Sequence, residues 1–116
     1  MKYGVMEGFR MHSSQTEYGL NPEGDRTSLF PKARELGFHG VELGIGLDYR
    51  EDPLWTGRAG ARQAVERETR RTGVEAPSIC LHLLNYDEHS PASGNAEHRE
   101  TGREITRNAI EACADI

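Results

Sequence analysis

The sequence predicts an α/β fold of parallel strands joined by crossover helices, on three observations. A short apolar run, a loop and a helix-period segment recur three times along the 116 residues. The connections after the apolar runs are long, whereas those after the first two helical segments are short, Gly37 to Gly40 and Gly73 to Ala76. Alternation within the runs sorts bulky side chains from small and polar ones. Strand, helix, strand in this order requires parallel pairing, and functional sites of such folds gather at the carboxyl ends of the strands.

The first run, Tyr3-Gly4-Val5-Met6-Glu7, is too short for a helix and reads as a strand. A polar loop follows, with turn chemistry at Gly19, Asn21-Pro22 and Gly24-Asp25. A helix is predicted from Thr27 or Ser28 to Leu36, with Leu29, Phe30, Ala33 and Leu36 on one face. Pro31 falls in its first turn and Gly37 at its stop. The second strand is Val41-Glu42-Leu43-Gly44-Ile45. Its helix, Gly60 to Thr72, aligns Ala61, Ala64, Val65 and Thr69, offers Arg62/Glu66 and Glu66/Arg70 as four-apart pairs, and stops at Gly73. The third strand, Ser78 to Leu83, is entered through Pro77. The last helix begins between Ala96 and Glu100 and places Ile105, Ala109, Ala112 and Cys113 on one face.

Composition removes several function classes. A net charge of −5 lacks the basic face of a nucleic-acid binder, and no apolar stretch approaches a membrane span. The amino terminus does not open like a secretory signal, and two cysteines do not make a disulfide framework, so a cytoplasmic location is expected. Crossovers of one hand place every helix on one side of the sheet, leaving the other side uncovered. The chain therefore reads as unfinished, and the uncovered face as a place where a homo-oligomer could form.

Two residues stand out as candidate substrate contacts. Glu42 lies between Val41 and Leu43, where a carboxylate is costly to bury unpaired. It calls for a cation, a metal, a hydroxyl-rich ligand or a structural arginine. His82, at a strand's carboxyl end on the face shared by Ser78 and Cys80, is suited to hold an oxygen, bind a metal or move a proton. Other candidates are weaker. Gly44-Ile45-Gly46 fails as a dinucleotide fingerprint because Tyr49 stands in place of the third glycine. His89 and His98 read as solvated surface, Cys80 and Cys113 as small buried hydrophobes, and the arginines around Arg67, Arg70 and Arg71 as a solvated helix face. Trp55 in Pro53-Leu54-Trp55 reads as packing within a long loop, with a lid over the strand ends as the alternative.

Three segments carry a resemblance: Leu29 through Leu43, Thr72 through Leu81, and Glu104 through Ala114. Their order and spacing are similar to the opening units of the xylose-isomerase-like TIM barrels, and within them to sugar-phosphate isomerases and epimerases of the hexulose-6-phosphate type. The resemblance implies that residues 1–116 are the amino-terminal part of an eight-stranded barrel. It also implies an enzyme acting on a ketose or its phosphate with a divalent metal (Mn, Mg, Co or Zn), by metal-assisted proton transfer. The family's metal ligands and catalytic glutamates come mostly from later strands, so catalytic residues are expected beyond Ile116 and this piece alone is expected to be inactive, with no metal of its own. Glu42 matches the family's second-strand glutamate, and His82 the strand end where some relatives place a polar site residue. The run His82-Leu83-Leu84-Asn85 lacks the small and basic residues that often follow in the sugar-phosphate enzymes. Two alternatives share the fold: a half-barrel that assembles with another chain without being an enzyme, and a relative of the metal-dependent endonucleases of damaged DNA, which the net charge disfavours.

Overall fold

The strand-forming runs assemble as their alternation demands. The structure, a computed structural model, describes residues 1–6 and 26–116. Strand β1 (Gly4–Met6), strand β2 (Gly40–Gly44) and strand β3 (Ile79–Cys80) form one parallel sheet in the order β1-β2-β3. Val5 pairs with Val41 across β1 and β2, and Leu43 with Ile79 across β2 and β3. The turn chemistry expected between Gly19 and Asp25, and Glu7 of the first run, lie outside the described residues.

Helix α1 (Leu29–Glu35) follows a single 3₁₀ turn at Arg26–Ser28. Gly37 ends it with φ +82°, and the Phe38 N–H donates to Ala33 O at 2.8 Å. Leu29, Phe30 and Ala33 are buried as predicted. Leu36 is not: it caps the helix and is 52% exposed, because the chain turns away one residue before the apolar stripe is complete.

A helical turn that the periodicity misses, α2 (Pro53–Thr56), interrupts the long connection after β2. Its signals are local. The Asp52 carboxylate accepts the Leu54 N–H, and Pro53 takes the first position, where no donor is needed. Helix α3 (Ala61–Thr72) matches the predicted span and ends at Gly73 with φ +70°. Its Glu66–Arg70 pair forms at 2.6 Å. Arg62 does not pair with Glu66. Instead Arg62 is buried, donating through Nε to Leu54 O, through Nη2 to Trp55 O and through Nη1 to Asp115 Oδ2. Those bonds satisfy carbonyls at the end of α2 and tie the two helices to the chain beyond helix α4 (Ala96–Ala114).

The third strand is shorter than predicted. Leu81 leaves the extended region (φ −104°, ψ 64°), and His82–Asn85 coils into a 3₁₀ turn, followed by a second at Asp87–His89. Alternation therefore stops at Cys80, and the face assigned to His82 from strand periodicity does not apply. In α4, Asn95 caps the first turn by accepting the Glu97 N–H at 2.8 Å. Ile105, Ala109 and Ala112 are buried, but Cys113 is exposed, and Cys80 is half-buried, so neither cysteine is a core residue.

Val41 and Leu43 of β2 share one core with Leu29, Phe30 and Ala33 of α1, Leu54 of α2, Val65 of α3 and Ala112 of α4. All four helices thus lie against the same side of the sheet. A second cluster of Ile45, Tyr49, Trp55, Leu83, Ile105 and Ala109 sits past the carboxyl end of β2. Here Trp55 packs edge-on against Tyr49 and its indole N–H donates to Ile105 O at 3.2 Å, so the predicted packing role holds. No helix among the described residues is long and apolar enough to cross a membrane.

Candidate functional site

Because Val41 and Leu43 face the helices, Glu42 between them faces the opposite side of the sheet. The ladder then fixes its neighbour. The Leu43 N–H donates to Ser78 O at 3.0 Å, and the Ile45 N–H to Cys80 O at 3.0 Å. Ser78 is held beside Glu42, and its hydroxyl donates to Glu42 Oε2 at 2.7 Å. Both side chains are half-buried. Among the described residues no arginine or lysine pairs with Glu42, so the structural-arginine reading of this carboxylate finds no partner there.

His82 is not brought to that pair by hydrogen bonding. It opens the 3₁₀ turn, is exposed, and its ring meets Tyr86 edge-on with centroids 6.5 Å apart. The two sequence candidates therefore sit in different surroundings: Glu42 in the sheet, His82 on a turn.

Arg26, 9% exposed, reaches across from the turn before α1. Its Nη1 donates to Asp52 Oδ1 at 2.9 Å, and its Nη2 to Asp52 Oδ2 at 3.0 Å and to Gly44 O at 2.9 Å. The fork of a guanidinium matches a carboxylate in this two-point way. Three separate segments meet in it: the entry to α1, the last residue of β2 and the cap of α2. Only Asp52-Pro53 was locally legible, as a helix start. Arg26 sits in what reads as an ordinary turn, and its partner lies 26 residues away.

A third cluster contains the residue types of a hydrolytic triad but not its geometry. His98 Nδ1 lies 3.0 Å from Asp87 Oδ2 and 3.4 Å from Ser93 Oγ. In a working triad the acid and the hydroxyl take opposite ring nitrogens. Here both approach the same one, so no proton path from serine through histidine exists. The cluster instead secures the chain before α4, where Arg99 also donates to Ser93 O and Gly94 O. The Ser93 hydroxyl and then His98 hold the Asp87 carboxyl below its usual range. His98 is thus engaged rather than simply solvated. His89, also read as solvated, is half-buried, with its ring edge-on to Tyr49 and its buried Nδ1 without a hydrogen-bond partner among the described residues.

Far from the strand ends, Lys2 donates to Glu75 Oε1 at 2.8 Å, and that bond holds the Glu75 carboxyl below its usual range. Arg71 grips Glu68 on the exposed side of α3, in keeping with a solvated arginine face.

Among the described residues no three histidine, cysteine, aspartate or glutamate side chains come together to hold an ion. What the Glu42–Ser78 pair can do is accept hydrogen bonds. No protein-family model matches the chain, and no curated protein matches it at a significant level.

Proposed function

We propose that the chain forms the first three βα units of a sugar isomerase or epimerase-like barrel and contributes Glu42 as a contact to a sugar hydroxyl. The observation that carries this reading is the sidedness of the sheet. Strands in the sequential order β1-β2-β3, with every helix packed against Val41 and Leu43, leave Glu42 and Ser78 on the side that would face a barrel interior. A doubly wound sheet reverses its strand order and takes helices on both sides, which the described residues do not do. Glu42 then acts by binding and orienting: its carboxylate accepts from a substrate hydroxyl while the sheet holds its backbone fixed. His82, on its exposed turn, is proposed as a second substrate contact at the rim.

The test is titration of the 116-residue chain with ketoses and their phosphates, followed by amide chemical shifts. Shifts concentrated at Glu42, Leu43, Ser78 and Ile79, and lost in Glu42→Gln, support the reading. Shifts confined to the groove between α1 and α3 lined by Pro31, Arg34 and Arg71 refute it, as does no binding by any sugar of the panel.

A further inference from the structure

The segment between Leu83 and Ser93 is fixed at both ends and loosely held between them. Leu83 is fully buried in the cluster around Trp55 and Ile105, and Ser93 is buried with its carbonyl accepting from Arg99 Nη1 at 2.8 Å. Between these anchors the backbone bonds only to itself. The His89 N–H donates to Tyr86 O at 3.0 Å and the Ser90 N–H to Asp87 O at 3.1 Å. Among the described residues no backbone group of 87–91 hydrogen-bonds to a strand or to another helix. The chain is extended at Tyr86 (φ −93°, ψ 138°) and at Ser90 (φ −81°, ψ 127°), so the turn Asp87–His89 is a stiff piece between two joints. Three contacts seat it. The His89 ring meets the buried Tyr49 ring edge-on with centroids 5.6 Å apart. His89 O and Pro91 fill a notch at Gly102 of α4, where a Cβ would lie 2.6 Å from both His89 O and Pro91 N. The Asp87 carboxylate reaches His98 Nδ1 at 3.0 Å. The seat is imperfect: His89 Nδ1 is buried in it with no hydrogen-bond partner among the described residues, and the Asp87 side chain is 70% exposed, where an ion pair contributes little.

We infer that residues 87–91 are a flap that opens and closes over Tyr49 as a unit, while the sheet and the helices stay folded. Movable elements are drawn from the parts of a fold with few ties to the rest, and this one is tied by a ring contact, a notch and an exposed ion pair. The two positions are balanced by opposing features. The Gly102 notch and the Asp87–His98 contact favour the closed form. The stranded His89 Nδ1 favours the open one, because water then supplies the partner that the seat lacks. Opening lifts His89 off Tyr49 and frees the surface of α4 at Gly102, and Tyr49 belongs to the cluster past the carboxyl end of β2. The flap is thus a gate to that strand end, and its motion does not depend on what the strand end binds.

The experiment is amide relaxation dispersion on the full chain, which reads motion on the microsecond-to-millisecond timescale of lids. Asp87, Glu88, His89 and Ser90 are expected to show dispersion with one common exchange rate, and Leu43 and Val65 to give flat profiles. Gly102→Ala, which blocks the notch, is expected to raise the open population more than tenfold, and Asp87→Ala about threefold. His89→Phe keeps a ring against Tyr49 but removes the stranded nitrogen, so it is expected to lower the open population about threefold, the opposite of what losing a plain structural contact would do. Thermal melts show whether each variant is folded, and the profile of the parent chain answers the question if a variant is not. Dispersion shared equally by Leu43 and Val65 would mean that the whole domain unfolds rather than the flap, and it overturns the inference. So do flat profiles in the parent and in Gly102→Ala alike, or an open population that His89→Phe raises or leaves unchanged.

Discussion

Replacing Arg26 is the most demanding test of how the strand end is built. The Arg26 and Asp52 side chains are 10% and 12% exposed, and the guanidinium makes two bonds to the carboxylate and one to Gly44 O, all between 2.9 and 3.0 Å. Arg26→Met keeps apolar bulk but leaves the Asp52 charge buried and Gly44 O without this donor. Loss of one member of a buried pair costs roughly 3–5 kcal/mol. Total stability of a domain this size is of order 5–15 kcal/mol, so the variant should lie near the edge of folding. Asp52→Asn separates the contributions. It removes the charge but keeps an oxygen for the Leu54 N–H, whereas Asp52→Ala also removes the cap, worth a further ~1 kcal/mol. In the double variant Arg26→Met/Asp52→Asn the pair is removed as a unit, so its loss should fall well short of the sum of the two single losses. Urea unfolding followed by far-UV circular dichroism and by Trp55 fluorescence measures all four. A loss under ~1 kcal/mol for Arg26→Met would mean the pair behaves as a solvent-screened surface bridge, and the argument from burial would be wrong.

Two further outcomes follow from packing and charge. At Gly102 a Cβ would sit 2.6 Å from His89 O and from Pro91 N, so Gly102→Ala must push the 87–91 segment off α4. The expected cost is about 1–3 kcal/mol, with amide shifts concentrated between Tyr86 and Ser93, and an unchanged melting temperature would contradict that contact. Asp87 and Glu75 are both held below the usual carboxyl range, by Ser93 with His98 and by Lys2 respectively. A depressed carboxyl contributes stability that is complete above its unfolded value, near ~4, and is lost as pH falls through its folded value. Acid titration should therefore show Asp87→Asn and Glu75→Gln less stable than the parent at pH 7, with the gap closing toward pH 2 and narrowing in high salt. A gap that stays constant with pH would refute the assignment.

Much of the architecture was written locally. The α3 span, the stops at Gly37 and Gly73 and the alternation of Val41, Glu42 and Leu43 each depend on residues within a few positions of one another. The signal at Asp52-Pro53 is equally local, but α2 is only 4 residues and shows no periodicity. The length of β3 was not local. Its Ser78–Leu83 run is strand-like by composition, but Leu83 is buried in the cluster around Trp55 and Ile105, with half-buried Leu81 packed against it, and the backbone there is a 3₁₀ turn. His82 is carried with it.

The sequence by itself determined the α/β class, the parallel order of its elements and the placement of Glu42 opposite the helix layer, because periodicity and glycine stops act over one or two turns. Only the tertiary structure decided that Ser78 gives its proton to Glu42, that Arg26 locks Asp52 and that Arg62 reaches Asp115, pairs separated by 36, 26 and 53 residues. Such contacts arise where strands and helices converge, and their geometry is set by how the whole sheet packs rather than by any neighbouring residue.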